Sequence, residues 1–150
     1  MRIEDEIQQK KFQNVYQKAH INILFTASWL NQSAMQSLRP YNISWQQFNI
    51  LRILRGMNPE PATVKLLTER MIDKMSNASR LVEKLKQKGL VDRRHCPEDR
   101  RRVNIQLTEE GMELVNAASK SVDEEVRRLW DRLSEEEATG LNEVLDKLRG

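Results

Sequence analysis

Almost nothing in this sequence can be cross-linked, ligated to a metal or bent sharply. There is one cysteine, Cys96, among 150 residues, with two histidines, five glycines and four prolines. A lone cysteine cannot close an internal disulfide, so a reducing cytoplasm is the simplest setting for the chain. The few glycines and prolines leave no long flexible linker, and no internal repeat or low-complexity segment occurs. No zinc-ligand spacing, Walker loop, glycine-rich dinucleotide turn or nucleophile elbow is present. Little remains from which to build a hydrolase, so neither an enzyme nor a cofactor is expected. No apolar run approaches the roughly eighteen residues of a membrane span, and MRIEDEIQQKK at the start lacks the apolar centre of a signal peptide. The expectation is a soluble, cytoplasmic protein with no membrane partner.

What is present is charge, unevenly placed. The chain carries +3 overall, yet residues 74–102 hold ten Lys or Arg against four Asp or Glu, a net of +6 that leaves −3 for the rest. A basic block in an otherwise mildly acidic protein points to a polyanionic partner, read here as duplex DNA. At this length one domain, 1–150, buries roughly two thirds of the surface its unfolded chain exposes, enough for a real core.

Apolar spacing supplies the elements. Residues 4–37 contain no Pro or Gly and predict one long helix or two abutting ones, with Ile7, Val15, Ala19, Ile23, Ala27 and Leu30 at mostly helical spacing. The stretch INILFTASWL is apolar on more than one side, which calls for a second surface such as a partner subunit. Ser44 and Gln47 form a capping box for a helix that buries Trp45, Phe48, Leu51 and Leu54 and closes in the loop of Gly56, Asn58, Pro59 and Pro61. A short helix, about 63–71, would bury Val64, Leu67 and Met71. After about three residues a further helix, about 74–88, would bury Met75, Ala78, Leu81, Val82 and Leu85, with Gly89 as its stop. Such a pair is a helix-turn-helix. Residues 90–95 read as one strand and 101–107 as a second, in which Val103, Ile105 and Leu107 alternate with polar residues, and the turn 96–100 joins them into a wing. Thr108 caps a long helix to Trp130, and Ser134 with Glu137 boxes the start of a last one bearing Leu141, Val144, Leu145 and Leu148.

Short polar side chains at the start of the 74–88 helix suit close approach to base edges in a major groove. Ser76, Asn77, Ser79 and Arg80 have that size and position, Arg80 suiting guanine and Asn77 adenine. Lys84 and Lys88 suit phosphate.

The order of elements, with LVEKLKQKGLVDR (81–93) and DRRRVNIQLTEEG (99–111), resembles the MarR family of transcription regulators over essentially the whole chain. The wing signature is carried by Asp99, Arg101, Leu107, Thr108 and Gly111. Ile72 and Asp73 depart from the family, which often has a Gly and an apolar residue in that turn. The resemblance implies a mainly α fold with a small β-hairpin wing, a winged helix-turn-helix lobe at about 42–107 and dimerisation helices at about 4–37 and 108–149. It further implies that Arg101 enters the minor groove, that Asp99 helps hold it, and that Arg100 and Arg102 contact the backbone. A homodimer on a pseudo-palindromic operator follows, with Val122, Val126 and Leu129 joining the last helix's stripe against the partner. Repression, released by a small aromatic effector bound between the dimer helices and the lobe, is the family's expectation. Trp29, Trp45, Tyr16, Tyr41 and Phe25 could line that pocket or belong to the core.

Cys96 lies among Arg93, Arg94, His95 and Arg100, where cations favour a thiolate. The plainer reading is an incidental exposed thiol, since no resolving cysteine exists. Peroxide-sensing members carry a reactive cysteine near the N-terminus, and this chain has none there. His95 beside Cys96 is too little for a metal, and His20 suits packing on the first helix. Two alternatives compete with the DNA reading: a winged-helix module that binds an acidic protein, and an RNA binder, which would lack the usual aromatic platform.

Overall fold

Side-chain caps decide where the helices of this chain begin. The computed structural model describes residues 1–150. In chain order they form α1 (Ile3–Glu6), α2 (Val15–Leu38), a 3₁₀ turn at Arg39–Tyr41, α3 (Trp45–Met57), α4 (Val64–Arg70), α5 (Ala78–Gln87), β1 (Val91–His95), β2 (Val103–Leu107), α6 (Glu109–Trp130) and α7 (Glu135–Arg149). From α2 onward, each helix starts where a polar side chain accepts an otherwise unpaired backbone amide. The acceptors are Asn14, Ser44, Thr63, Asn77, Thr108 and Ser134. The boxes expected at Ser44–Gln47 and Ser134–Glu137 close in both directions.

Caps also explain where periodicity misplaces a boundary. The stretch 4–37 splits into α1 and α2: Gln8 adopts a left-handed φ of 53°, and the Asn14 side chain accepts from Gln17 N–H to start α2. Lys18 donates to Glu4 at 2.6 Å across the break, and that hydrogen bond is the main reason the Glu4 carboxyl sits below its ordinary value. The second helix of the helix-turn-helix begins at Ala78, not near Lys74, so the turn from α4 runs through residues 71–77 and is longer than the three residues expected. Met75 is 94% exposed instead of buried. The cause is local: Asp73 accepts from Met75 N–H at 3.0 Å, offering the backbone a non-helical partner just before the Asn77 cap.

The core lies between residues 38 and 122. Phe48, Ile50, Leu51 and Leu54 of α3 meet Leu67 and Met71, then Ala78, Val82 and Leu85 of α5, then Leu90, Val91 and Ile105 at the base of the hairpin, with Val115, Ala118 and Val122 of α6 behind them. Val122, expected in a contact between subunits, is therefore part of this core, because the face of α6 that carries Val115 and Ala118 turns it inward. The strands pair antiparallel from Val91↔Leu107 to His95↔Val103, with Ile105 fully buried. Ala62 exchanges both backbone hydrogen bonds with Ile105, at 2.9 and 2.8 Å, which adds a one-residue third rung to the sheet and ties the α3–α4 loop to the wing. A single residue carries no alternation for a sequence reading to detect.

Outside the core the helices are bare. Helix α2 lies along α6 and α3 yet buries only Leu38, and α7 buries nothing. Val15, Tyr16 and Leu24 on α2, and Val144 and Leu148 on α7, are exposed. No helix is long and apolar enough to cross a membrane.

One junction fixes the lobe. Gly89, with φ at 73°, ends α5 in the left-handed conformation that spares a Cβ clash, and Leu90 N–H returns to Leu85 O. The Thr108 hydroxyl donates to Gly89 O at 2.7 Å and accepts from Gly111 N–H at 3.0 Å, while Thr108 N–H donates to Leu90 O. A Cβ on Gly111 would sit 2.0 Å from Leu90 O, so only glycine lets α6 start this close to the end of α5. Gly111→Ala should cost about 2 kcal/mol or more, as for overpacking against backbone. Gly56→Ala, at an exposed site in α3 with nothing within 4 Å, should instead add about 0.5–1 kcal/mol. Urea unfolding at unchanged slope measures both, and equal effects would remove the Gly111 argument.

Candidate nucleic-acid interface

Helix α5 turns Ala78, Val82 and Leu85 into the core and its other faces outward. Ser79, Arg80, Lys84, Lys86 and Gln87 are exposed, and Asn77 is exposed at the helix start. Asn77 Oδ1 accepts from Arg80 N–H at 3.0 Å. Its carbonyl oxygen is thus engaged in starting the helix, and a two-point contact to adenine would cost the helix its cap. Ser76 lies in the turn, half-buried, and is not part of the helix.

The turn before α5 is held from two sides. Asn49, buried on α3, accepts from Ile72 N–H at 3.0 Å. The Asp73 carboxyl lies below its ordinary value, first because the Ser76 hydroxyl donates to it and then because Met75 N–H does. This chain therefore builds the turn from an aspartate, an asparagine and backbone amides.

Charge pairing sorts the cations of the basic segment. Arg93 pairs with Glu83 at 3.5 Å and Arg94 with Asp92 at 3.2 Å. Lys74 donates to Glu69 O, and Lys88 donates to Asn42 O and stands 3.5 Å from Gln47 Oε1. Lys88, expected at a phosphate, instead ties the end of α5 to the residues before α3. Arg80, Lys84, Lys86, Arg100, Arg101 and Arg102 enter none of the ion pairs of the chain. They project from two places only, the outer face of α5 and the tip of the wing.

Asp99 organises that tip. Its Oδ1 accepts from Arg101 N–H at 3.0 Å and its carbonyl from Arg102 N–H at 2.9 Å, while Cys96 N–H donates to Arg102 O at 2.8 Å. Asp99 thus holds the backbone of Arg101 and not its guanidinium, which makes no ion pair with it. His95 Nδ1 lies 3.1 Å from Arg100 O, and Cys96 is half-buried. Arg101 and Arg102 also line a cleft of about 400 Å³ with Thr63, Lys65 and Arg93. Lys65 and Lys86 are not singled out by motif reasoning; only the fold brings Lys65, at the start of α4, beside the wing.

A second cavity of about 400 Å³ opens between α2 and α6. Nine of its twelve lining residues are apolar, among them Trp45, Ile72 and Trp130, and Ser33 and Glu125 supply polar atoms. Of the five aromatics expected at a pocket only Trp45 lies here. Trp29 and Phe25 line a smaller cleft near Ile3 and Arg132, Tyr16 is exposed, and the Tyr41 hydroxyl is 3.1 Å from Ala117 O and 2.7 Å from Ser121 Oγ. His20 is exposed on α2.

Against this geometry the sequence comparisons are informative. Residues 43–103 match the pattern of the MarR family. The chain is 36% identical over 110 residues, 72% of its length, to the HTH-type transcriptional regulator PecS of Dickeya dadantii, and 33% identical over 73 residues, 49% of its length, to the transcriptional repressor MprA of Escherichia coli. It spans 66% and 42% of those relatives' own lengths. Its fold superposes with a TM-score of 0.83 and 20% identity on the organohalide-sensing regulator RdhR-CbdbA1625 in its 2,4-dichlorophenol-bound form, covering 94% of this chain and 85% of that one.

The turn makes two expectations. Asn49→Ala removes a buried acceptor from Ile72 N–H and should lower stability by about 1–3 kcal/mol, read by thermal unfolding. The Asp73 carboxylate, favoured in the folded chain, contributes stability above the ordinary aspartate range that is lost only as pH falls through its lowered native value. The protection of the Met75 amide, its exchange rate relative to the intrinsic rate at each pH, should therefore stay constant across neutral pH and fall only in acid below that range. A fall in protection between pH 5 and 8 would rule out this role.

Proposed function

This chain belongs to the MarR family, and from that premise we propose that it is a homodimeric repressor of transcription that binds duplex DNA through α5 and the wing. The observation that carries the reading is the sorting of charge: four cations of the basic segment, Lys74, Lys88, Arg93 and Arg94, are paired or anchored, and the six unpaired ones stand on α5 and the wing tip. Duplex DNA presents about one negative charge per 1.7 Å, so unpaired cations release counterions on binding and set non-specific affinity. Discrimination falls to Arg80 with Ser79 and Ser76 on base edges in the major groove, Asn77 contributing its free amide. Arg101 enters the minor groove, its backbone clamped by Asp99, with Arg100 and Arg102 on the backbone. Lys84 joins Lys86 and Lys65 as phosphate contacts.

The bare apolar faces of α2 and α7, with Leu141, Leu145 and Val126, support a dimer in which these helices cover one another. A two-fold axis then asks for a pseudo-palindromic operator with half-sites about one helical turn apart. The cavity between α2 and α6 is the effector site in this reading. Its wall residue Ile72 is also the second residue of the turn that leads to Asp73 and the Asn77 cap, so an occupant that displaces it biases the start of α5. Such a ligand shifts DNA affinity only by its preference between the two arrangements. The acidic-protein and RNA alternatives are not favoured, since the relatives are transcription regulators by name.

Operator fragments selected from a random duplex pool provide the assay. Arg101→Ala should weaken binding and make the slope of log affinity against log salt shallower by about one unit. An unchanged slope and affinity would take the wing out of the interface. Arg80→Ala should relax preference at one base position, worth about 1–3 kcal/mol, and leave non-specific binding nearly intact. Equal losses on every sequence would make it a phosphate contact.

A further inference from the structure

The cavity between α2 and α6 has an electrostatic sign. Of its twelve lining residues the only charged one is Glu125, and no Lys or Arg is among them. Ser33, on the facing helix, donates from its hydroxyl to Glu125 Oε1 at 2.6 Å and so fixes the carboxylate within the lining. The second oxygen, Oε2, meets Arg128 at 3.5 Å, but that guanidinium is 75% exposed and lies outside the lining. A long, solvated pair of this kind is weak and screened. Trp45 and Trp130 supply flat apolar walls that suit an aromatic ring.

An aromatic acid or phenolate entering this space would meet a carboxylate and no compensating cation. An aromatic ring bearing a protonated amine would stack on the indoles and bring its N–H donors to Glu125 in a charge-assisted contact. We propose that the cavity selects small aromatic cations over neutral and anionic aromatics, with Glu125 as the discriminating group and Ser33 as its positioning residue. The proposal rests on the reading of this cavity as the effector site and adds the ligand's charge to it.

The test titrates the full chain calorimetrically with three probes of one shape: 2-naphthylmethylammonium, 2-naphthylmethanol and 2-naphthoate. The ammonium should bind about tenfold tighter than the alcohol, a difference typical of one added charge-assisted contact, and the naphthoate weakest. Glu125→Gln should bring ammonium and alcohol to equal affinity while leaving the alcohol's unchanged. Arg128→Ala, which frees Oε2, should tighten the ammonium alone. The ammonium should also release the chain from its selected operator at lower concentration than the other two. Equal affinities for the three probes, or tightest binding of the naphthoate, overturn the charge assignment while the cavity stands as an effector site. Absence of binding by all three at millimolar concentration overturns both.

Discussion

The carbonyl of Leu90 is the point on which the lobe turns. It accepts from Thr108 N–H and lies where any side chain on Gly111 would strike it, so the end of α5, the first residue of the hairpin, the last strand and the start of α6 share one small volume. The Thr108 hydroxyl completes the lock by bonding Gly89 O and Gly111 N–H together. Because these contacts are to backbone, they fix the relation of α5 to the wing and to the long helix irrespective of the side chains α5 displays. Variation on the outer face of α5 therefore leaves the geometry of the lobe alone.

At its other end α5 is held more lightly. Asn49 secures Ile72, Asp73 secures Met75, and Asn77 secures Arg80, three side-chain-to-backbone contacts in series and mostly at the surface. A helix rigid at its C-terminus and softly hinged at its N-terminus suits a two-state device. The cavity between α2 and α6 is lined from both directions, by Ile72 at that soft end and by Glu125 on the long helix.

Much of the local structure around the candidate site was legible in advance because its parts are local. Capping boxes at Ser44 and Ser134, the alternation of Val103, Ile105 and Leu107, and the spacing Asp99, Arg101, Leu107, Thr108, Gly111 each lie within a few residues. The misplaced start of α5 is equally local, but its signal is weak: Asp73 and Asn77 compete with an uninterrupted helical periodicity, and the hydrogen bonds they make outweigh it. Lys88 looked like one more surface cation, and only the approach of Asn42 from 46 residues earlier makes it a tie within the lobe.

Composition and periodicity by themselves determined the fold class, the order of elements and the segment that concentrates positive charge, since helix caps, strand alternation and net charge depend on neighbours in the chain. They could not determine which cations are already paired, that Ala62 joins the sheet through Ile105, that Val122 faces inward, or that Glu125 is the lone charge in an apolar cavity. Each of those depends on groups tens of residues apart meeting within a few ångströms. Pairing, burial and cavity polarity are properties of such meetings, and the tertiary structure alone decides them.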